Sequence, residues 1–120
     1  MSVNSVLVVD DSSPDLERLR AVVSKAGCRV MTAKSGKEAV AKTKSEKPDL
    51  VLMDIVMDDL DGFGACRQIV NDDDTKDIPV VFVSTKKQRA DRLWAERQGA
   101  RSLVSKPYTE EAILSEIRKY

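Results

Sequence analysis

The chain has 120 residues, enough for one core and no more, so residues 1–120 are expected to form a single domain. Twenty Lys plus Arg balance twenty Asp plus Glu, and there is no histidine. The balance leaves no global field to draw in nucleic acid or an anionic membrane, and the missing histidine removes the commonest general base and zinc ligand. Residues 1–4 carry no leader-like basic and apolar regions, and no apolar run approaches a membrane span, so a cytoplasmic protein with no membrane insertion is expected.

Residues 5–10 (SVLVVD) form an apolar, β-branched run that predicts a strand ending on Asp10 and Asp11. Ser12, Ser13 and Pro14 then supply capping hydroxyls and a proline suited to a first helical turn. Leu16, Leu19, Val23 and Ala26 recur at helical spacing, and Gly27 marks the helix end. Residues 28–33 predict a weaker strand. Ser35 and Gly36 precede a helix with Ala39, Val40 and Thr43 on one side, closed by Pro48. Residues 49–54 are the third strand, the densest apolar run, and it stops on the carboxylate of Asp54. An Asp-rich loop closed by Gly62 leads to a helix with Phe63, Cys66, Ile69 and Val70 inward, and the acidic run 71–74 reads as a solvated turn. Residues 79–84 (PVVFVS) are a strand ending on a hydroxyl, followed by a basic helix in which Ala90, Leu93, Trp94 and Gln98 share a side. Residues 102–106 are a fifth strand ending on an amine. Pro107 breaks it, and residues 109–111 open a last helix with Ile113, Leu114 and Ile117 inward. Cys28 and Cys66, with no CxxC spacing, read as two buried thiols.

Five strands alternating with five helices at tight βα spacing predict an α/β fold, a doubly wound parallel sheet covered on both faces. Such a sheet presents all its strand carboxyl ends at one edge, where ligands bind. Four of the five predicted strands end on polar, reactive side chains: Asp10 with Asp11, Asp54, Ser84 and Lys106. Three carboxylates brought together repel one another unless a cation joins them, and an all-oxygen donor set favours Mg²⁺. Lys106 adds a second positive charge and Ser84 a hydrogen-bond donor. An ionised Asp54 is already a nucleophile, so phosphoryl transfer to give an acyl phosphate needs no separate base. Taken singly these residues have plainer readings, since a strand-end Asp caps the next helix and a Lys before Pro lies on the surface. Their joint occurrence outweighs those readings.

LVVDD, then LVLMDIVM with a following DG, then PVVFVS and Lys106-Pro107 together resemble the CheY-like receiver domain of two-component response regulators, over essentially the whole chain. The resemblance implies a flavodoxin-like (βα)5 sheet of strand order 2-1-3-4-5. It implies that Asp54 becomes an aspartyl phosphate, taking its phosphate from the phosphohistidine of a CheA-like histidine kinase, in a self-catalysed step that is later reversed. It further implies that Asp11, Asp54 and the Val56 carbonyl bind Mg²⁺ with Asp10 acting through water, that Ser84 and Lys106 hold the phosphoryl oxygens, and that the Lys106-Pro107 bond is cis. Within the family, residues 84–88, Trp94, residues 97–101 and residues 105–107 are most similar to free-standing receivers of type IV pilus twitching-motility chemosensory systems. A monomer with no output domain is therefore expected, which switches contacts with a downstream protein target or drains phosphate from a shared kinase.

Three positions depart from the family pattern. Asp58 stands where proline is usual, Leu103 replaces the aromatic switch residue of the fifth strand, and Thr85 occupies a position where alanine is frequent. The alternative of another class is a receiver-like adaptor that binds partners constitutively without phosphotransfer. An aspartate phosphatase of the haloacid dehalogenase type would want a DxDxT-like start, which Asp10-Asp11-Ser12 lacks.

Overall fold

The structure, a computed structural model, describes residues 2–120. Its elements run β1 (Ser5–Val9), α1 (Ser13–Lys25), β2 (Arg29–Ala33), α2 (Gly36–Glu46), β3 (Leu50–Met53), α3 (Gly62–Asn71), β4 (Val80–Ser84), α4 (Arg89–Arg97), β5 (Ser102–Ser105) and α5 (Glu110–Lys119). The five strands form one sheet in the order β2-β1-β3-β4-β5, with every pairing parallel. The expected α/β doubly wound architecture and its 2-1-3-4-5 order are therefore present.

The central strands are apolar on both faces because both faces are covered. Successive side chains point to opposite sides of a strand, and here each side finds its own core. Val6 and Val8, Leu50 and Leu52, Val81 and Val83 pack with Leu16, Leu19 and Val23 of α1 and Ile113 of α5. Leu7 and Val9, Val51 and Met53, Val80 and Phe82 pack with Ala39 of α2, Cys66 and Ile69 of α3 and Ala95 of α4. A slip of one residue in register would exchange these two sets, so the pairing is tightly specified.

Helix starts follow local chemistry. Ser35 Oγ accepts from the Glu38 amide (3.1 Å), Asp61 Oδ1 from the Gly64 amide (2.8 Å) and Thr109 Oγ1 from the Ala112 amide (3.1 Å), opening α2, α3 and α5. Gly27 and Gly99, at φ 92° and 96°, turn the chain out of α1 and α4 in the left-handed region open to glycine.

Three expectations need correction. Ser12 is the residue before α1, yet its side chain makes no capping bond; Asp10 Oδ1 instead accepts from the Ser12 amide at 2.9 Å. Ala26 is exposed, and Val22 takes the expected inward place on α1. On α4 the buried residue is Ala95, with Gln98 buried just past its end, while Leu93 and Trp94 are 52% and 47% exposed. The reason is that α4 spans only nine residues and rests its narrow small-residue side on the sheet. Trp94 touches the core through an edge contact with Phe63 (6.5 Å between rings), and Phe63 meets Phe82 edge-on at 5.4 Å. Both cysteines are free: Cys66 is buried and donates to the Gln98 carbonyl, and Cys28 is half-buried. Burial pushes the Cys66 thiol up to about 12, which leaves it inert at neutral pH.

Candidate functional site

In a sheet of this order the direction in which successive strands are added reverses between β1 and β3, and the crevice outside the carboxyl ends of those two parallel strands is where such folds bind ligands. Asp10 and Asp11 follow β1 there, and Asp54 follows β3. The ladder continues into the site, because the Asp10 amide donates to the Ala33 carbonyl and the Asp54 amide to the Val9 carbonyl. Both side chains are thereby held at the end of a rigid sheet. Carboxylate oxygens of Asp10, Asp11 and Asp54 all lie within 4.8 Å of one another. Asp10 is buried, Asp11 exposed and Asp54 between the two.

Lys106 arrives from the end of β5. Its Nζ donates to Asp10 Oδ2 at 2.7 Å, Asp15 Oδ2 at 3.1 Å and Asp54 Oδ2 at 3.5 Å. Burial works against its charge, but the hydrogen bonds to Asp10 and Asp15 and the attraction of Asp54 outweigh it and hold the ammonium above its ordinary pKa. The Asp10 carboxyl moves above the usual carboxylate range, because burial outweighs its bonds from Lys106 and Ser12. The Lys106-Pro107 bond is cis, as expected.

Asp54 Oδ1 accepts from the Ile55 amide at 2.7 Å, which fixes the carboxylate against its own loop. Ile55 and Met57 are buried and pin that loop into the core, leaving Val56 exposed between them. Gly62 closes it: its amide donates to the Ile55 carbonyl at 2.7 Å, and a Cβ there would lie 2.3 Å from the Asp54 carbonyl oxygen. Asp58 is exposed. Asp59 tethers the loop instead, accepting from the Gly36 amide at the start of α2, and hydrogen bonds from the Leu60, Gly36 and Lys37 amides hold its carboxyl below the ordinary range.

Ser84 is fully buried at the end of β4, and its hydroxyl accepts from the Lys86 amide at 3.2 Å. Thr85 is exposed and lines, with Asp15, Arg18, Lys106, Pro107 and Tyr108, an opening of about 210 Å³ beside the site. Leu103 is buried in the core between the sheet and α4. The structure thus gathers Asp10, Asp11, Asp54 and Lys106 into one cluster, and sets Ser84, Thr85 and Pro107 at the same edge. Leu103 lies apart, inside the core.

Two residues of this region escape sequence reading. Asp15 reaches Lys106 from the first turn of α1; Pro14 marks where that turn begins, and an acid one residue later is the only trace. Arg92 of α4 donates to the Leu103 carbonyl and the Ser105 hydroxyl, both at 3.0 Å, clamping β5; nothing in a basic helix singles it out.

A cluster of hard oxygen donors with a protein ammonium already seated against two of them fits a hard divalent cation. A parallel α/β domain with an acid cluster at its switch point and a lysine from the fifth strand defines the class. The chain belongs to the response regulator receiver domain family, whose pattern matches residues 6–118. It is similar to Protein PilH of Pseudomonas aeruginosa, with 47% identity over 112 residues covering 93% of each chain. Among solved structures it resembles the Vibrio cholerae chemotaxis protein CheY4 (25% identity, TM-score 0.91, 98% of each chain). It also has the fold of the receiver domain of the sensor histidine kinase PA1611 from Pseudomonas aeruginosa (22% identity, TM-score 0.91, 99% of this chain and 98% of that one). That structure holds a magnesium ion in its active-site cleft.

Proposed function

We propose that this chain is a free-standing, cytoplasmic, monomeric phosphorylation switch whose Asp54 accepts a phosphoryl group from the phosphohistidine of a CheA-like histidine kinase. The observation that carries the reading is the Lys106 ammonium seated between Asp10 and Asp54, with Asp11 beside them, at the switch point of the sheet. Similarity to PilH over 93% of that protein's length supports a receiver working without an attached output domain, and supports a role in type IV pilus, chemotaxis-like signalling. Among the described residues no helix is long and apolar enough to cross a membrane.

In this reading an Asp54 carboxylate oxygen attacks phosphorus, the new O–P bond forms, and the P–N bond breaks with its electron pair leaving on the imidazole nitrogen. Asp10, Asp11, Asp54 and the Val56 carbonyl would hold Mg²⁺, which when bound neutralises charge on the transferring group. The Ile55 amide orients the attacking carboxylate. Lys106 supplies the protein's own positive charge to the phosphoryl oxygens, and the Ser84 hydroxyl supplies a donor after it turns from the Lys86 amide. That turn shifts a pre-existing equilibrium at the surface of α4, β5 and α5. The shift reaches a downstream protein target through α4, which exposes Leu93 and Trp94 and begins at Arg89, just after Lys86 and Lys87 in the chain.

Incubation with Mg²⁺ and acetyl phosphate tests the reading. A phosphate-sized mass increase in the wild type that is absent in Asp54→Asn is expected. No increase in the wild type, or an equal increase in both, would rule it out.

A further inference from the structure

Lys106 has three carboxylate partners, and one of them is outside the phosphorylation machinery described above. Asp15 Oδ2 lies 3.1 Å from Lys106 Nζ, nearer than Asp54 Oδ2 at 3.5 Å. Asp15 stands in the first turn of α1 directly after Pro14, so its backbone is held where the helix starts. Its side chain is 42% exposed and lines the opening that also exposes Arg18, Thr85 and Tyr108. The ammonium is therefore drawn toward that opening as well as toward Asp54.

Phosphoryl transfer changes what Lys106 must do. The ammonium is useful only at the oxygens of the incoming group, which sit on the far side of Asp54 Oδ2 from the carboxylate carbon. Asp10 is buried in the cluster and stays near Lys106 in either position. Asp15 is not one of the carboxylates gathered within 4.8 Å at the site, so a Lys106 drawn fully to a phosphoryl group on Asp54 is expected to give up the Asp15 bond. A charge-assisted hydrogen bond is among the stronger polar contacts, weakened here by solvent at its half-exposed partner.

We propose that Asp15 is a positioning residue that holds Lys106 back from the phosphoryl group and so slows phosphorylation of Asp54. The proposal rests on the phosphotransfer reading and specifies how its rate is set. Loss of the Asp15 charge makes the site less repulsive to any anionic donor, but that field effect needs no lysine. An effect transmitted through Lys106 vanishes when Lys106 is gone.

The test is a double-mutant cycle on the full chain, with Mg²⁺ and acetyl phosphate, following the rate of the mass increase. Asp15→Asn is expected to raise the rate about three- to tenfold in the wild-type background, and to change it less than about twofold beside Lys106→Ala. Asp15→Glu is expected to restore a rate near wild type. A second readout needs no phosphorylation: the ¹⁵N resonance of the Lys106 ammonium shifts in Asp15→Asn if the contact restrains it. An equal gain with and without Lys106, no gain, or an unmoved Lys106 resonance overturns the proposal while leaving phosphotransfer intact. A wild type that gains no mass overturns the phosphotransfer reading, and this proposal with it.

Discussion

Asp10 carries its charge against its surroundings. It is buried beside two other carboxylates, and burial lifts its pKa above the ordinary value of 3.8 despite the bonds from Lys106 and Ser12. Asp10→Asn removes the charge and keeps the shape: the side-chain carbonyl still accepts from Ser12, and Lys106 keeps Asp15 and Asp54. The variant is expected to stabilise the metal-free fold by about 1 kcal/mol, raising Tm by about 4 °C, while weakening Mg²⁺ binding. Because the folded-state pKa is raised, the charged form is penalised above that pKa and the penalty is gone below 3.8. The advantage of asparagine is thus full at neutral pH and fades as pH falls through the folded-state value. Thermal melts across that range check it, and an asparagine variant less stable than wild type at neutral pH would show that the Lys106 pair outweighs burial. Gly62 is constrained differently. Its missing Cβ leaves room for the Asp54 carbonyl oxygen at 2.3 Å and the Ile55 Cα at 2.8 Å, both backbone atoms that cannot swing away. Gly62→Ala is expected to cost about 1–3 kcal/mol in a urea melt and to shift the Asp54 amide resonance.

Between elements, the contact that matters most to the site joins the β3–α3 loop to α2. The loop is held by Asp59 on the first amides of α2 and by Leu60, whose carbonyl oxygen would lie 1.9 Å from a Cβ on Gly36. Asp59→Ala is expected to speed amide exchange across residues 55–60 and to weaken Mg²⁺ binding with little change in the melt; unchanged exchange would show the tether is idle. The aromatic chain from Phe82 through Phe63 to Trp94 grades in burial, so truncation should grade in cost. Phe82→Ala should lose about 3–5 kcal/mol, and Trp94→Ala much less, in the same urea titration. The central strands were legible because a parallel strand covered on both faces must be apolar along its buried run, as VLVV, LVLM and VVFV are. Helix α4 was not, because it packs through one small residue, Ala95, followed at its end by Gln98, an amide whose burial rests on Cys66 and Arg67 of another element. Ser12 misled for a local reason: Pro14 has no amide to offer a capping hydroxyl, and the Ser12 residue is held by its own amide, which donates to Asp10.

At the scale of the whole molecule, zero formal charge conceals a strong local imbalance. Four carboxylates, Asp10, Asp11, Asp15 and Asp54, surround one ammonium, so the fold carries a cation deficit at one edge of its sheet. A ligand that fills it and binds only the folded chain stabilises that chain by mass action. Mg²⁺ at one hundred times its dissociation constant is expected to add about 2.7 kcal/mol, and Asp11→Asn should remove most of the gain. The site's main parts were readable from strand ends, since a parallel sheet must bring Asp10, Asp54, Ser84 and Lys106 to one edge. Asp15 and Arg92 were not, because their contacts depend on helix placement and side-chain reach, which no spacing encodes. The burial of Leu103 beneath α4 likewise emerged only from packing. The central claim is that Asp54 takes a phosphoryl group from histidine. The most direct test is to mix this chain with a ³²P-phosphorylated CheA-like kinase in Mg²⁺ and follow the label. The account predicts label leaving the kinase and appearing on the wild type, with none on Asp54→Asn and none when EDTA removes the metal; label that stays on the kinase, or that reaches Asp54→Asn equally, would contradict it.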